Sequence, residues 1–374
     1  MKHSLLPLLV ACLMAGNLFA SSQLPNDAEL RRMAAQMLMV GFRGDSVSET
    51  SDAARYVRDL GVGAIILFDV DLTGDATIGS RNITSPQKLQ RMTAQLQRWG
   101  GGRLLIALDQ EGGRVQRLKP QYGYEQLPSA AQIGQMQRSD STRHYARLMA
   151  RQLSQSGVNI NLAPVVDLLN PDTPGLGKID RCYSASPSVV AWHAGMLVDE
   201  HHRQGVMCTL KHFPGHGNAT SDSHWGLVDV TDTWQPTELR PYELLIGQGK
   251  VDLVMTAHIF NRTIDPDYPA TLSHKTLTGV LRRQLHYDGV ILSDDMYMQG
   301  IIDHYQIEPA LVLAINAGCD MLCVGNNIST GFEADRPFHL VDMIVRAVKD
   351  GRIALSRIQE ANRRINSLKN KIKQ

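Results

Sequence analysis

The chain carries almost no net charge: 38 lysines and arginines face 37 aspartates and glutamates over 374 residues, a formal balance of +1. No lysine/arginine run offsets that balance, which argues against a nucleic-acid footprint. No apolar run reaches the roughly 20 residues that a membrane span requires. Cysteine is scarce, with five in all and no Cys-x-x-Cys spacing, so neither a thiolate metal site nor a disulfide framework is expected. Cys208, Cys319 and Cys323 lie in apolar runs and read as packed thiols, while Cys182 stands in a loop. Short repeats and low-complexity stretches are also missing. What is present is a 43% hydrophobic content, enough for a sizeable core.

The start of the chain is set apart. Lys2 and His3 precede an apolar run from Leu5 to Met14, followed by small residues up to Phe19-Ala20 and the polar Ser21-Ser22-Gln23. That order describes a secretory leader. The expected division is a signal peptide over 1–20, cleaved after Ala20, and one barrel domain with closing helices over 21–374. An exported, periplasmic protein follows, without a membrane span once the leader is removed. A lipoprotein reading through Leu9-Val10-Ala11-Cys12 places its cysteine unusually early.

Eight short apolar runs recur along the chain: 37–42, 62–68, 104–108, 160–166, 206–210, 253–256, 290–292 and 321–324. Near-continuous rather than alternating apolar residues indicate strands covered on both faces, as in a parallel sheet. Helical segments lie between them. Ser85-Pro86 supplies a cap and a first-turn proline before Leu89, Met92 and Leu96. Tyr145, Leu148, Met149 and Leu153 form a stripe, as do Val189, Trp192, Met196 and Val198. Further helices are expected near 238–245, 275–285, 309–317 and 340–348, with a basic amphipathic segment from Ser356 to Lys373.

This count suits an α/β fold, either a (β/α)8 TIM-type barrel or a doubly wound open sheet. Polar residues arbitrate. Asp109, Asp167, Lys211 with His212, His258, Asp294 and Asn326 each stand at or just beyond the end of a different run. Only a closed barrel converges so many strand ends on one point, so a single-domain barrel is the expectation.

The densest chemistry lies in Lys211-His212-Phe213-Pro214-Gly215-His216-Gly217-Asn218-Ala219-Thr220-Ser221-Asp222-Ser223-His224. Polar groups so concentrated at a strand end are costly to bury and either pair or serve chemistry. Asp222 beside His224 would fix the imidazole tautomer and favour its charged form, preparing it to give and recover a proton. Asp294, in Ser293-Asp294-Asp295-Met296, suits a nucleophile at a barrel mouth. A carboxylate nucleophile with a proton shuttle is the minimum for retaining glycoside hydrolysis, although the common arrangement uses two carboxylates.

Residues 211–217 with Asp222-Ser223-His224 resemble the signature of family 3 glycoside hydrolases of the β-N-acetylhexosaminidase branch. Ala107-Leu108-Asp109-Gln110-Glu111-Gly112-Gly113-Arg114-Val115-Gln116-Arg117 resembles that branch's third-strand motif, and Leu292-Ser293-Asp294-Asp295-Met296 its nucleophile strand. The resemblance runs from about Met33 to the C-terminus. It implies Asp294 as nucleophile and His224 with Asp222 as the acid/base dyad. Asp109, Arg117, Arg181, Lys211 and His212 would then bind a terminal N-acetylglucosamine. Asn218 stands where the branch often has aspartate, and Cys182 replaces serine in the loop around Arg181. No cofactor or metal is implied, and a monomer is expected.

Other residues read as supports. His258 is expected to be a hydrogen-bonded structural histidine, His216 a loop brace, Asp295 a neighbouring acceptor and Asp167 a support of the barrel mouth. Three rival functions remain at this point. A zinc hydrolase would use His212, His216, His224 and Asp222, with Lys211 placing a positive charge beside the metal. A glycoside phosphorylase could occupy the same scaffold. A non-catalytic glycan binder would be expected to lack part of Asp294, Asp222 and His224. The preferred expectation is an exo-acting β-N-acetylglucosaminidase for peptidoglycan fragments or chitooligosaccharides.

Overall fold

The computed structural model describes residues 25–72, 76–221, 226–328 and 331–372. The expected leader lies outside them. Eight strands form a closed, all-parallel barrel. They are β1 (Leu38–Val40), β2 (Ala64–Ile66), β3 (Leu105–Leu108), β4 (Ile160–Asn161), β5 (Met207–Phe213), β6 (Leu253–Thr256), β7 (Val290–Asp295) and β8 (Met321–Val324). Closure is direct, with Leu38, Met39 and Val40 of β1 beside Leu322, Cys323 and Val324 of β8. The doubly wound alternative is thereby excluded.

Each expected run holds a strand, but only 253–256 and 321–324 coincide with their strands; the other six differ at one end or both, and two of these bear on the site. The run at 160–166 yields only Ile160–Asn161, because Pro164 has no N–H for the ladder; pairing resumes at Val165 opposite Lys211. The run at 206–210 extends to Phe213, so Lys211 and His212 belong to the strand rather than following it.

Outer helices cover the barrel. Ser85 caps helix Pro86–Trp99 by accepting from the Lys88 N–H, and Leu89, Met92 and Leu96 face inward. Helix Pro187–Arg203 departs from expectation. Its buried side is Val190, Ala194, Leu197, Val198 and His201, whereas Trp192 is 45% exposed. Cys182 is buried against Val165 and Leu176, and the four described cysteines are free.

The last helix, Leu355–Lys369, closes the end of the barrel remote from the strand C-termini. Asp320, just before β8, is fully buried and collects three guanidinium groups: Arg282 at 2.5 Å, Arg364 at 3.5 Å, and Arg357. It also accepts from the Ile291 N–H of β7 at 3.0 Å. One carboxylate thus ties two strands to two outer helical segments. Asp320→Asn removes a charge from a buried cluster, which costs about 3 kcal/mol; urea unfolding is expected to show a loss of that order.

Candidate active site

The site is assembled at the C-terminal mouth of the barrel, where side chains from several strand ends meet. Both strands with the strongest chemical signal are irregular there. Lys211 and His212 of β5 together oppose the single Met255 of β6, and Ser293 and Asp294 of β7 together oppose Leu322 of β8. Two residues against one is a bulge, which re-aims side chains out of strict alternation. Asp294 and Asp295 accordingly both line the same cavity, which strict alternation along a strand would not allow. The Lys211–His212 and Phe213–Pro214 peptide bonds are cis.

Beyond β3 the chain makes a tight ribbon, Gln110–Gly112 against Val115–Gln116. Gly112 and Gly113 turn it with φ of +92° and +59°, and a Cβ on Gly112 would lie 2.2 Å from the Pro128 carbonyl oxygen. Gln110 Oε1 accepts from the N–H groups of Arg117 and Leu118, both at 3.0 Å. The turn therefore returns Arg117 to Asp109, 3.1 Å away. Asp69, directly after Phe68 at the end of the second run, supports Arg117 from behind at 3.6 Å and also binds Lys119 and Tyr122.

Lys211 is 2% exposed. Its ammonium contacts Asp109 at 2.9 Å and Glu111 at 2.7 Å. Glu111 also accepts two bonds from Arg181, each 2.8 Å, a fork geometry that fixes the guanidinium plane. Burial opposes ionisation of these carboxyls, but the facing cations outweigh it. Asp109 is held well below the usual range by Lys211 and Arg117, and Glu111 is brought down to about 2 by Arg181 and Lys211. Reciprocally, burial works against the Lys211 ammonium, yet Asp109 and Glu111 raise its pKa above the ordinary value.

His212 is held from both sides. Nδ1 donates to Asp167 at 2.7 Å, and Nε2 lies 3.3 Å from the Arg181 guanidinium. Arginine only donates, so Nε2 accepts and the proton sits on Nδ1. Asp167 also accepts from the backbone N–H groups of His212 at 3.2 Å and His216 at 2.8 Å, the bracing role expected of it. His258 is equally structural, bonded to Thr271 and to the Asp295 carbonyl at 2.8 and 2.9 Å.

Asp294 stands on the wall opposite this polar floor, with its Oδ1 accepting from the Asp295 N–H at 2.8 Å. Asp295 accepts from the N–H groups of Tyr297 and Gly325, each at 3.0 Å. The cavity at the barrel mouth measures about 320 Å³ and touches Asp109, Arg117, Arg181, Lys211, His212 and Asp294 together. Every expected sugar-binding residue thus meets the expected nucleophile. Asp222 and His224 lie outside the described residues. The loop leading to them rests on Glu238, which accepts from Gly217 N–H at 3.1 Å and the Asn218 amide at 3.0 Å.

Among the described residues, no cluster of histidine, cysteine, aspartate and glutamate is placed to hold a metal ion. The donor chemistry disfavours zinc as well, since both His212 nitrogens are engaged and one faces a guanidinium. The sequence reading missed Glu111 and Asp69. Glu111 is two residues from Asp109, the same-face spacing of an extended chain, and Asp69 obeys the strand-end rule that located the others.

The family description "Glycosyl hydrolase family 3 N terminal domain" matches residues 29–368. The beta-hexosaminidase of Idiomarina loihiensis is 34% identical over 298 residues, covering 78% of this chain and 84% of that protein. The beta-hexosaminidase of Nitrosomonas eutropha is 34% identical over 300 residues, covering 78% and 80%. Among solved structures, a glycoside hydrolase family 3 beta-N-acetylglucosaminidase from Paenibacillus sp. str. FPU-7 superposes with a TM-score of 0.81 at 32% identity. It covers 91% of this chain, which spans 62% of that longer one. The beta-N-acetylhexosaminidase of Beutenbergia cavernae gives 0.79 at 25% identity, over 91% and 98% of the two chains.

Two outcomes follow from the floor and its support. Glu111→Gln leaves Lys211 and Arg181 short of a buried counter-charge and is expected to lower kcat/KM at least about tenfold, as steady-state kinetics will show. Glu238 is 1% exposed, and burial, aided by the Asp167 charge, raises its carboxyl to about 7 from 4.5. Within that window the folded chain keeps a proton that the unfolded chain has released. The stabilisation is therefore complete below 4.5 and is lost as pH rises through 7. Glu238→Gln is expected to flatten the decline of the urea midpoint between about pH 5 and 8.

Proposed function

The chain belongs to glycoside hydrolase family 3, and from that premise we propose that it is an exported, retaining exo-β-N-acetylglucosaminidase. Its substrates would be peptidoglycan fragments or chitooligosaccharides with a terminal N-acetylglucosamine. The observation that carries this reading is a charged but internally balanced floor that shares one cavity with the Asp294 carboxylate. Arg117, Arg181 and Lys211 each contact Asp109 or Glu111, so the floor offers donors and acceptors with little net field. That suits a neutral polyol better than a phosphate. The names of the relatives, beta-hexosaminidase and beta-N-acetylglucosaminidase, point the same way.

In this mechanism the floor accepts the non-reducing end of the sugar. Asp109, ionised at any working pH, receives hydrogen bonds from adjacent hydroxyls, and Arg117, Arg181 and Lys211 donate to oxygens of the sugar's substituents. Asp294 attacks the anomeric carbon and forms a glycosyl ester while the aglycone departs. His224, oriented by Asp222, protonates the leaving oxygen. It then takes a proton from the water that attacks the ester, regenerating Asp294 with net retention. A phosphorylase would place phosphate where that water enters, and the paired floor cations leave it little to bind there.

The decisive assay compares chromogenic β-N-acetylglucosaminide with β-glucoside, with and without phosphate. Preference for the former, with free sugar rather than sugar 1-phosphate as product, is expected. Asp294→Ala should lower kcat by about 10³-fold or more. His224→Gln should harm substrates with poor leaving groups far more than aryl ones. Unchanged turnover in Asp294→Ala would remove the mechanism.

A further inference from the structure

The cavity has a second face that the polar floor does not explain. Beside Asp294 and Asp295, the lining away from that floor includes an apolar group, Phe68, Val70 and Leu72 after β2, Met298 after β7 and Ile328 after β8. Leu72 is 57% exposed, and it lines the cavity together with the other four; apolar residues grouped in this way, unlike one standing alone, mark a contact site.

This side is firmly held. Asn327 accepts from the Leu72 N–H at 2.8 Å and donates to the Val70 carbonyl at 2.9 Å, clamping the two strand-end segments together. The buried Arg81 reinforces the clamp. It donates to Asn327 Oδ1 and the Asn326 carbonyl, both at 2.8 Å, and to the Gly325 carbonyl at 3.2 Å. The apolar shelf is therefore preformed rather than a slack loop tip.

A sugar that enters the pocket with its hydroxyls toward the polar floor leaves its anomeric substituent trailing to the mouth. The trailing group is the one that meets Leu72 and Ile328. We propose that this shelf is an aglycone subsite selecting apolar groups, a reading that rests on the glycosidase assignment above. It predicts a preference for glycosides whose leaving portion presents a hydrocarbon surface next to the cleaved bond.

The test is calorimetric binding of methyl and hexyl β-thioglycosides of N-acetylglucosamine, which are not cleaved, alongside hydrolysis of the chromogenic substrate. The hexyl ligand should bind about tenfold tighter, from partial burial of its added methylenes. Leu72→Ser and Ile328→Ser should each cut that ratio to about threefold or less, whereas Leu72→Met should keep it. A ratio near one in the unaltered protein, or a ratio that survives both serine changes, overturns the proposal. A protein that cleaves the chromogenic glycoside yet binds both thioglycosides alike leaves the glycosidase reading standing without this one. A protein that prefers the hexyl ligand but cleaves nothing supports the shelf and removes the other.

Discussion

A lysine ammonium withdrawn from water at the barrel mouth is the constraint on which the site turns. An unpaired charge at the position of Lys211 would be strongly destabilising, so the fold must bring carboxylates to it. Asp109 and Glu111 do so from the segment following β3, across the intervening β4. Those carboxylates in turn require Arg117 and Arg181. The result is an alternating set of charges linking the third, fourth and fifth strand ends, in which each member fixes the position of the next. A hydrogen-bonding surface so constrained needs little reorganisation to receive a sugar, the condition under which polar contacts contribute most to recognition.

Regular strands alone would not build this surface. Alternation sends neighbouring side chains to opposite faces, yet the site uses Lys211 with His212, and Asp294 with Asp295, as adjacent pairs. The bulges at these two points resolve the conflict. They occur only where the apolar sequence gives way to polar residues, so the lower barrel keeps its ladder while the mouth departs from it. The cost of irregular pairing is confined to the layer where backbone and side-chain partners are both at hand.

Much of this was legible in the sequence. Eight apolar runs gave the strand count because buried parallel strands leave a simple hydrophobic signal. Polar residues at the ends of those runs gave the barrel and most of its floor. What escaped depends on geometry that one-dimensional patterns do not carry. Trp192 sits at helical spacing with buried neighbours but turns outward, since the inward face of its helix is set by contacts from two flanking helices. Strand limits at Asn161 and Phe213 shifted because proline and a bulge intervene. Glu111 was overlooked beside Asp109 because its importance appears only once Arg181, seventy positions along the chain, is brought to it. The dyad of Asp222 and His224 stays a reading of sequence and resemblance.

The adjacent carboxylates of β7 illustrate how one strand end can divide two tasks. Two nearby acids disfavour simultaneous ionisation, and their surroundings decide which of them yields. Burial raises the Asp295 carboxyl to about 6, with the Asp294 charge adding to that shift and the Tyr297 and Gly325 N–H groups opposing it. Asp295 is thus the member tied to the backbone of the seventh and eighth strand ends, where it fixes the turn. Asp294 keeps the position facing the sugar floor, bonded to the N–H of its own neighbour. The shift thus falls on the residue tied to the backbone, while Asp294 faces the floor in the position that the proposed mechanism gives its nucleophile.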